Sequence, residues 1–406
     1  MAENRIKKVR QYCVSVMVLC LAMFGVYTVQ EKTGWQNVNA EASEDQEERV
    51  ETSGQLIVLG DAEAVTGGHA DTEVEDSAWS QIFGTEIPEL AKKQGNSCVL
   101  IKKNGTELDT IFEEMVYRKI TVSLKGSVTK EDVLRVSGNA LYTGEPVVEE
   151  VFIPEELKNV PLVREPKKTD EDSLLSLAIE EKGDLTRVML EFNSVYEVTV
   201  TEDEEFYYLS LVRPHEKYDH IVVIDPGHGG IDTGTSGGGF YESHINLAVV
   251  KYLKELLDEQ ENWKVYYTRL NNTLPDLSTR VEFANALHAD MLVSVHCNHN
   301  PVSAVNGVEV LYSKVQGAED AFNSKVLAEI CSAYVSEATG LKERPLVDRS
   351  TNLHIIKYCN MPMALIEFGY MSNRKDLSII TTEEAQRACA EAIYRSIETA
   401  FEKAEQ

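Results

Sequence analysis

"VIDPGHGGIDTGTSGGGFYESHINL", residues 223–247, is the most informative stretch for the fold of the C-terminal half of this chain. It begins as an apolar strand, turns through glycines around His228, and reaches Glu242 directly before an amphipathic run. Glycines let a backbone turn sharply and keep side chains away from a bulky ligand. Neither G-x-G-x-x-G nor G-K-[ST] is present, which disfavours a phosphate-binding loop. The stretch therefore predicts a strand, a ligand-binding loop and a helix.

The same alternation of strand and helix continues to the end of the chain. Apolar or alternating strand patterns cover residues 221–225, 264–269, 291–298, 307–313, 353–358 and 363–369. Helical spacing covers residues 245–259, 277–287, 321–340 and 381–404, and Thr381 with Glu384 fits a capping box for the last of these. Such alternation predicts an α/β fold, a mixed and mainly parallel sheet flanked by helices, over residues 219–403.

Residues 87–214 differ from the C-terminal half in their pattern of predicted secondary structure. Strand patterns rich in β-branched and aromatic residues cover 118–126, 187–192, 196–201 and 206–212, and a short helix is predicted over 129–136. We find no catalytic set of side chains in this stretch. It predicts a small β-rich domain with a binding or spacing role.

The N-terminal 86 residues carry a targeting pattern. A basic tail, residues 1–11, precedes an uncharged apolar run, residues 12–29, near the length that crosses a bilayer. The charge asymmetry predicts a cytoplasmic tail. We favour a transmembrane signal anchor over a cleaved signal peptide, because the nearest A-x-A lies well beyond the run. Residues 30–86 are acidic and polar, which predicts a disordered tether.

Composition excludes one class of partner and indicates the redox state. The chain of 406 residues has a net charge of -28, and so acidic a surface argues against nucleic-acid binding. Seven cysteines without a C-x-x-C pattern suit no complete disulfide framework, so most are expected to be free thiols.

Four polar residues fall where ligands bind in open α/β sheets, beyond the carboxyl ends of strands. They are His228, Glu242, His296 and Glu367. Two imidazoles and a carboxylate suit Zn²⁺, so His228, Glu242 and His296 are candidate metal ligands and Glu367 a candidate general base for a zinc-activated water. Taken singly, each also fits an ordinary role: a surface histidine, a core histidine, or a glutamate paired with an arginine.

The motifs resemble one known family. The stretches VVIDPGHGG, YES, YYTR, LSTRVEFAN, LVSVHCN and PMALIEFGYMSN occur in the order typical of zinc-dependent N-acetylmuramoyl-L-alanine amidases of the amidase-3 type. The resemblance covers about residues 219–401. It implies one zinc ion bound by His228, Glu242 and His296, with Glu367 as the catalytic residue. Cys297 is expected to point away from His296, because neighbouring strand residues face opposite sides.

The resemblance also implies the reaction and its setting. The family hydrolyses the amide between N-acetylmuramic acid and L-alanine in peptidoglycan, which implies a cell-wall hydrolase or autolysin held to the cell membrane by its N-terminal helix. The catalytic domain would then lie on the extracytoplasmic side, or be secreted if the segment is cleaved. Residues 87–214 bear a distant resemblance to wall-targeting AMIN-type domains, without a matching motif. The alternatives are a catalytically silent wall-binding protein and a zinc peptidase that cuts within the stem peptide.

Overall fold

The computed structural model describes residues 55–57, 78–83, 86–94, 97–137, 140–143, 174–260, 263–316 and 322–405, all within one structural unit that spans Glu51–Gln406. The predicted basic tail (1–11), membrane anchor (12–29) and most of the predicted tether (30–86) lie outside the described residues. Among the helices that are described, none combines the length and the apolar character needed to cross a bilayer. Within the predicted tether, residues 55–57 form a strand and residues 78–83 form a helix, so these two segments are ordered. The anchor and the rest of the tether remain predictions.

The described strands before residue 213 form two antiparallel five-stranded sheets, and the predicted strands in this region are confirmed. The first sheet has the order β1-β3-β4-β8-β7, with β1 Gln55–Ile57, β3 Glu107–Glu114, β4 Lys119–Lys125, β7 Leu174–Lys182 and β8 Leu185–Phe192. The second has the order β6-β5-β2-β10-β9, with β2 Ser97–Lys102, β5 Val133–Ser137, β6 Ala140–Thr143, β9 Glu197–Glu202 and β10 Phe206–Val212. Residues of β8 alternate between buried and half-buried positions, which places one face in the core.

Strand β10 is buried almost along its whole length because both faces of its sheet are covered. Leu209 and Leu211 pack in a core shared with the first sheet. Tyr208 packs on the other side with two short helices, α1 Ala78–Phe83 and α2 Glu89–Lys92.

The helix predicted over residues 129–136 is wrong. Lys130–Asp132 form a single 3-10 turn, which Thr129 and Asp132 cap, and the chain then enters β5. Val133 and Val136 are buried, and pairing of β5 with β2 satisfies the backbone groups. β-Branched residues favour that pairing over a helix of two turns.

The C-terminal region has a mixed sheet of six strands in the order β14-β11-β15-β18-β16-β17. These strands are β11 Ile221–Pro226, β14 Lys264–Tyr267, β15 Met291–Asn298, β16 Glu309–Tyr312, β17 Val347–Asp348 and β18 Met363–Tyr370, and a hairpin of β12 Ser236–Gly237 and β13 Phe240–Tyr241 lies outside the sheet. Neighbours run parallel except for β16 against β18. The predicted mixed, mainly parallel sheet is confirmed.

Helices cover both faces of this sheet. They are α3 Glu242–Leu257, α4 Leu277–Ala286, α5 Ser324–Thr339, α6 His354–Tyr358, α7 Arg374–Ile380 and α8 Glu383–Ala404. Residues of α3, α5 and α8 pack with Val222 and Ile224 on one face, while those of α4 and α6 pack with Ile221 and Val223 on the other. Burial on both faces explains why β11 is apolar from Ile221 to Ile224.

Two local predictions in this region need correction. Residues 353–358 were expected to form a strand, but His354–Tyr358 are helical, because a short apolar run is equally suited to a buried helix that packs two neighbouring isoleucines. The last helix is capped by Thr382, whose side chain accepts the Ala385 N–H, and not by Thr381, which ends α7.

Candidate metal centre

The carboxyl ends of three adjacent parallel strands bring the predicted residues to one edge of the sheet. His228 follows β11, His296 lies in β15, and Glu367 lies in β18 as the direct register partner of His296. Glu242 is the first residue of α3, which starts at the same edge. The connections of the α/β sheet therefore assemble residues that are up to 139 positions apart in the sequence.

His228, Glu242 and His296 form a compact set. One ligand atom from each lies within 4.8 Å of the others. Glu242 Oε1 is 3.1 Å from His228 Nε2 and 2.9 Å from His296 Nδ1. The Glu242 side chain is buried, whereas the two imidazoles keep 26% and 19% of their surface exposed. The two imidazoles are thus the most accessible part of this set.

The electrostatics of this set favour a cation. Burial alone would raise the pKa of Glu242, but its hydrogen bonds with the two imidazoles outweigh burial and hold that pKa below its usual range. Burial likewise opposes a charge on His228, yet its hydrogen bonds to Glu242 and Asp232 raise its pKa to about 9. Positive charge is therefore stabilised between these three side chains.

Backbone donors fix the Glu242 carboxylate. Its Oε2 accepts the Thr235 N–H at 2.8 Å and its Oε1 accepts the Cys297 N–H at 3.1 Å. The Cys297 side chain lies in the core on the opposite face from the site, as expected. The five cysteines within the described residues are buried and free, in agreement with the prediction of free thiols.

Two glycines of the opening stretch make room for the ligand set. A β-carbon at Gly227 would overlap the His296 ring. A β-carbon at Gly234, where φ is +65°, would lie 2.5 Å from Glu242 Oε2 and 2.8 Å from His228 Cδ2. These glycines therefore allow the three side chains of the candidate site to approach one another closely.

Asp232 is a residue of the candidate site that was not predicted from the sequence. Its Oδ2 lies 2.8 Å from His228 Nδ1, on the side of the ring away from Glu242, and its Oδ1 accepts the Gly234 N–H at 3.0 Å. A carboxylate on the outer nitrogen of a metal-binding histidine fixes the tautomer and orientation of the ring. Its position four residues after His228, inside the glycine loop, was the available signal.

We expect Asp232→Asn to lower the affinity for Zn²⁺ by about 10-fold, the lower end of the range for loss of such a partner. The amide no longer accepts the ring proton as a carboxylate does, so His228 is less firmly oriented. Competition with a chromogenic chelator measures the affinity. Asp109→Asn, an exposed aspartate in β3, is the charge-matched control, and equal affinities for the two variants would contradict the role of Asp232.

Two buried arginines hold the loop that carries His228. Arg269 donates from Nε to the Pro226 carbonyl at 2.8 Å and from Nη2 to the carbonyls of Gly227 at 2.8 Å and Ser243 at 3.0 Å. Arg280 donates from Nη2 to the His228 carbonyl at 2.8 Å. These are the arginines of the YYTR and LSTR stretches, whose role was not predicted from the sequence.

Asp225 compensates the charge of Arg280 beneath the loop. The Asp225 carboxylate is buried and accepts hydrogen bonds from Arg280 Nη1 at 2.5 Å, Thr268 Oγ1 at 2.5 Å and Ser294 Oγ at 2.7 Å. Burial would raise its pKa, but Arg280 and the two hydroxyls outweigh burial and lower it to about 2. A charged network therefore supports the loop that carries His228 from below.

Glu367 places an unpaired carboxylate oxygen at this edge. Its Oε2 is buried and has no hydrogen-bond partner among the described residues. Burial raises the pKa of Glu367 to about 7, against the attraction of His296. Its antiparallel neighbour Glu309 is held by Arg344, at 3.1 Å, and by Asn298. A carboxylate of this kind is suited to proton transfer near neutral pH.

The C-terminal region is thus an α/β domain that carries a candidate metal-ligand set at one edge of its mixed sheet. Residues 222–399 match the protein family described as N-acetylmuramoyl-L-alanine amidase. The chain is 32% identical over 184 residues to the uncharacterized protein YqiI of Bacillus subtilis (strain 168), a match that covers 45% of this chain and 85% of YqiI. The chain belongs to the N-acetylmuramoyl-L-alanine amidase family, and the predicted family and enzyme class are confirmed.

Other relatives match over a similar share of this chain. The N-acetylmuramoyl-L-alanine amidase LytC of Bacillus subtilis (strain 168) is 32% identical over 173 residues, which cover 43% of this chain and 34% of LytC. The probable cell wall amidase LytH of Staphylococcus saprophyticus is 31% identical, with 45% of this chain and 59% of LytH covered. The solved catalytic domain of the amidase CwlV from Bacillus (Paenibacillus) polymyxa var. colistinus is 34% identical, with 45% of this chain and 99% of CwlV covered and a TM-score of 0.42. This chain thus spans about a third of LytC and three fifths of LytH.

Proposed function

We propose that residues 219–403 hydrolyse the amide bond between N-acetylmuramic acid and L-alanine in peptidoglycan, with one Zn²⁺ ion held by His228, Glu242 and His296 and with Glu367 as general base. The observation that carries this proposal is the convergence of two imidazoles and a carboxylate within 4.8 Å. Membership of the amidase family supports peptidoglycan as the substrate.

The residues present fit a zinc ion. Two nitrogen donors and one oxygen donor are a usual protein ligand set for catalytic zinc, which leaves a further position open. Glu242 Oε1 lies close to one nitrogen of each imidazole, His228 Nε2 and His296 Nδ1. Glu367 Oε2 is a buried acceptor without a donor among the described residues. When bound, the ion supplies a Lewis acid that polarises the scissile carbonyl and promotes ionisation of a water.

The protein's own residues supply orientation and proton transfer. Asp232, Arg269 and Arg280 hold the loop of His228, so the open face of the imidazoles is presented to the substrate. Glu367 takes a proton as the water oxygen bonds to the lactyl carbonyl carbon. It then gives that proton to the L-alanine nitrogen as the C–N bond breaks. The products are a lactyl carboxylate on the glycan and a peptide with a free amino terminus.

The same proposal includes the location of the enzyme. Residues 12–29 anchor the chain in the cell membrane, and the catalytic domain lies on the extracytoplasmic side, where the wall substrate is. The basic tail and the apolar run of the sequence support this arrangement.

Digestion of purified peptidoglycan by the full chain in detergent tests the reaction. We expect mass spectrometry to find intact stem peptides that begin at L-alanine, together with glycans that carry free lactyl groups. Removal of metal with a chelator is expected to abolish release, and added Zn²⁺ to restore it. Stems shortened from within would identify a zinc peptidase instead, and wall binding without any release would identify a silent wall-binding protein. Full activity after complete metal removal would contradict the zinc site.

A further inference from the structure

The β-rich region lies directly against the helix that supports the metal-binding loop. Nine of the ten residues of α4 are buried, although its sequence, LSTRVEFANA, is mixed in polarity. A helix on the outside of an α/β sheet normally leaves a polar face to solvent. Here Val116 and Val195 of the β-rich region pack in the same cluster as Val281 and Phe283 of α4.

A buried ion pair lies at this junction. Arg118 follows the 3-10 turn Met115–Tyr117 and has a left-handed backbone, with φ of +56°. Its Nη2 is 2.6 Å from Glu282 Oε2, and the side chains are 5% and 0% exposed, respectively. Its Nε donates to the Phe192 carbonyl at 3.2 Å, which ties the guanidinium to the β-rich region. Removing one partner of such a buried pair leaves the other charge buried and uncompensated, which is strongly destabilising.

Helix α4 connects this ion pair to the site. Arg280 and Glu282 are two residues apart on α4, so their side chains leave the helix on nearly opposite sides. Glu282 faces Arg118, while Arg280 donates to the carbonyls of His228 and Pro226. The position of α4 therefore sets the position of the loop that carries a metal ligand.

We propose that the β-rich region is a fixed part of the catalytic unit and that Arg118 is a positioning residue, which acts through Glu282 and Arg280 on the His228 loop. The proposal rests on the proposed function only for the identity of the metal site. It assigns the β-rich region a role in shaping that site, in addition to any contact with the wall.

The test uses the full chain and reads metal binding directly. We expect Arg118→Met and Glu282→Gln each to weaken Zn²⁺ binding by about 10-fold, the lower end of the range for outer-shell partners, and to change the visible absorption of the Co²⁺-loaded protein. The double variant should lose no more Zn²⁺ affinity than the single variant with the larger loss, because both changes break the same ion pair. Where Arg118→Met does not fold, Arg118→Lys replaces it, since an ammonium cannot reproduce both bonds of the guanidinium.

Lys264→Met is the matched control. Lys264 of β14 pairs with Glu197 of β9 at 3.0 Å, so this variant also breaks an ion pair between the β-rich region and the catalytic sheet, but one that does not involve α4. We expect its Zn²⁺ affinity and Co²⁺ spectrum to match those of the wild type. The proposal would be overturned if the Arg118 and Glu282 variants had the Zn²⁺ affinity and Co²⁺ spectrum of the wild type. Losses of affinity that multiply in the double variant would also overturn it.

The two proposals fail separately. The proposed function alone would be rejected if the variants bind Zn²⁺ more weakly than the wild type, as expected, but the wild type leaves peptidoglycan intact. The positioning role alone would be rejected if the wild type is active and neither Arg118→Met nor Arg118→Lys changes Zn²⁺ binding.

Discussion

Glu367→Gln is expected to lower the rate of peptidoglycan amide hydrolysis by about 10²–10⁴-fold, the usual contribution of a general acid–base residue. Glutamine keeps the size of the side chain but neither accepts nor donates a proton at pH 7. Because Glu367 is not one of the three converging ligands, Zn²⁺ affinity should stay at the wild-type value. Initial rates of stem-peptide release and a chelator competition measure the two quantities.

Glu309→Gln is the matched control for this prediction. Glu309 lies directly opposite Glu367 in the neighbouring strand, but it is engaged by Arg344 and Asn298. We expect it to retain activity within about 10-fold of the wild type, since it holds no proton-transfer role. Unchanged turnover in Glu367→Gln, or an equal loss in both variants, would refute the assignment of Glu367 as the base.

Arg280→Met is expected to lower the free energy of unfolding by about 3–5 kcal/mol, the usual cost of breaking a buried ion pair by removing one partner. The change leaves the Asp225 carboxylate buried without its guanidinium and removes the donor to the His228 carbonyl. Urea denaturation followed by circular dichroism measures the difference.

Arg387→Met is the control for stability. Arg387 makes two ion pairs at the surface, with Glu255 and Glu383, and half of its side chain is exposed. Exposed pairs contribute little, so this variant should unfold close to the wild type. Equal free energies of unfolding for Arg280→Met and Arg387→Met would show that the Asp225–Arg280 ion pair does not stabilise the folded protein.

Much of the site was predictable because strand ends are readable in the sequence. His228, His296 and Glu367 each follow or end an apolar run, and parallel strands bring such positions to one edge. Glu242 was predicted because it starts a helix directly after the glycine loop. The geometry now agrees with the convergence of three of these residues and places Glu367 in register with His296.

Residues that act through hydrogen bonds were harder to predict. Asp232, Arg269 and Arg280 look like ordinary polar residues in the sequence, and their partners are mostly backbone carbonyls, which carry no sequence signal. The helix at His354–Tyr358 was missed because six residues are too few for periodicity to separate a strand from a buried helix.

The α/β alternation, the polar residues at the edge of the sheet and the family can be read from the sequence, because each depends on local pattern and chain order. The packing of the β-rich region over α4 cannot be read there. Arg118 and Glu282 are separated by 164 positions, and their contact depends on how two independently patterned regions pack. The pair becomes buried only when the two regions pack together, and loss of one partner is costly only because the pair is buried.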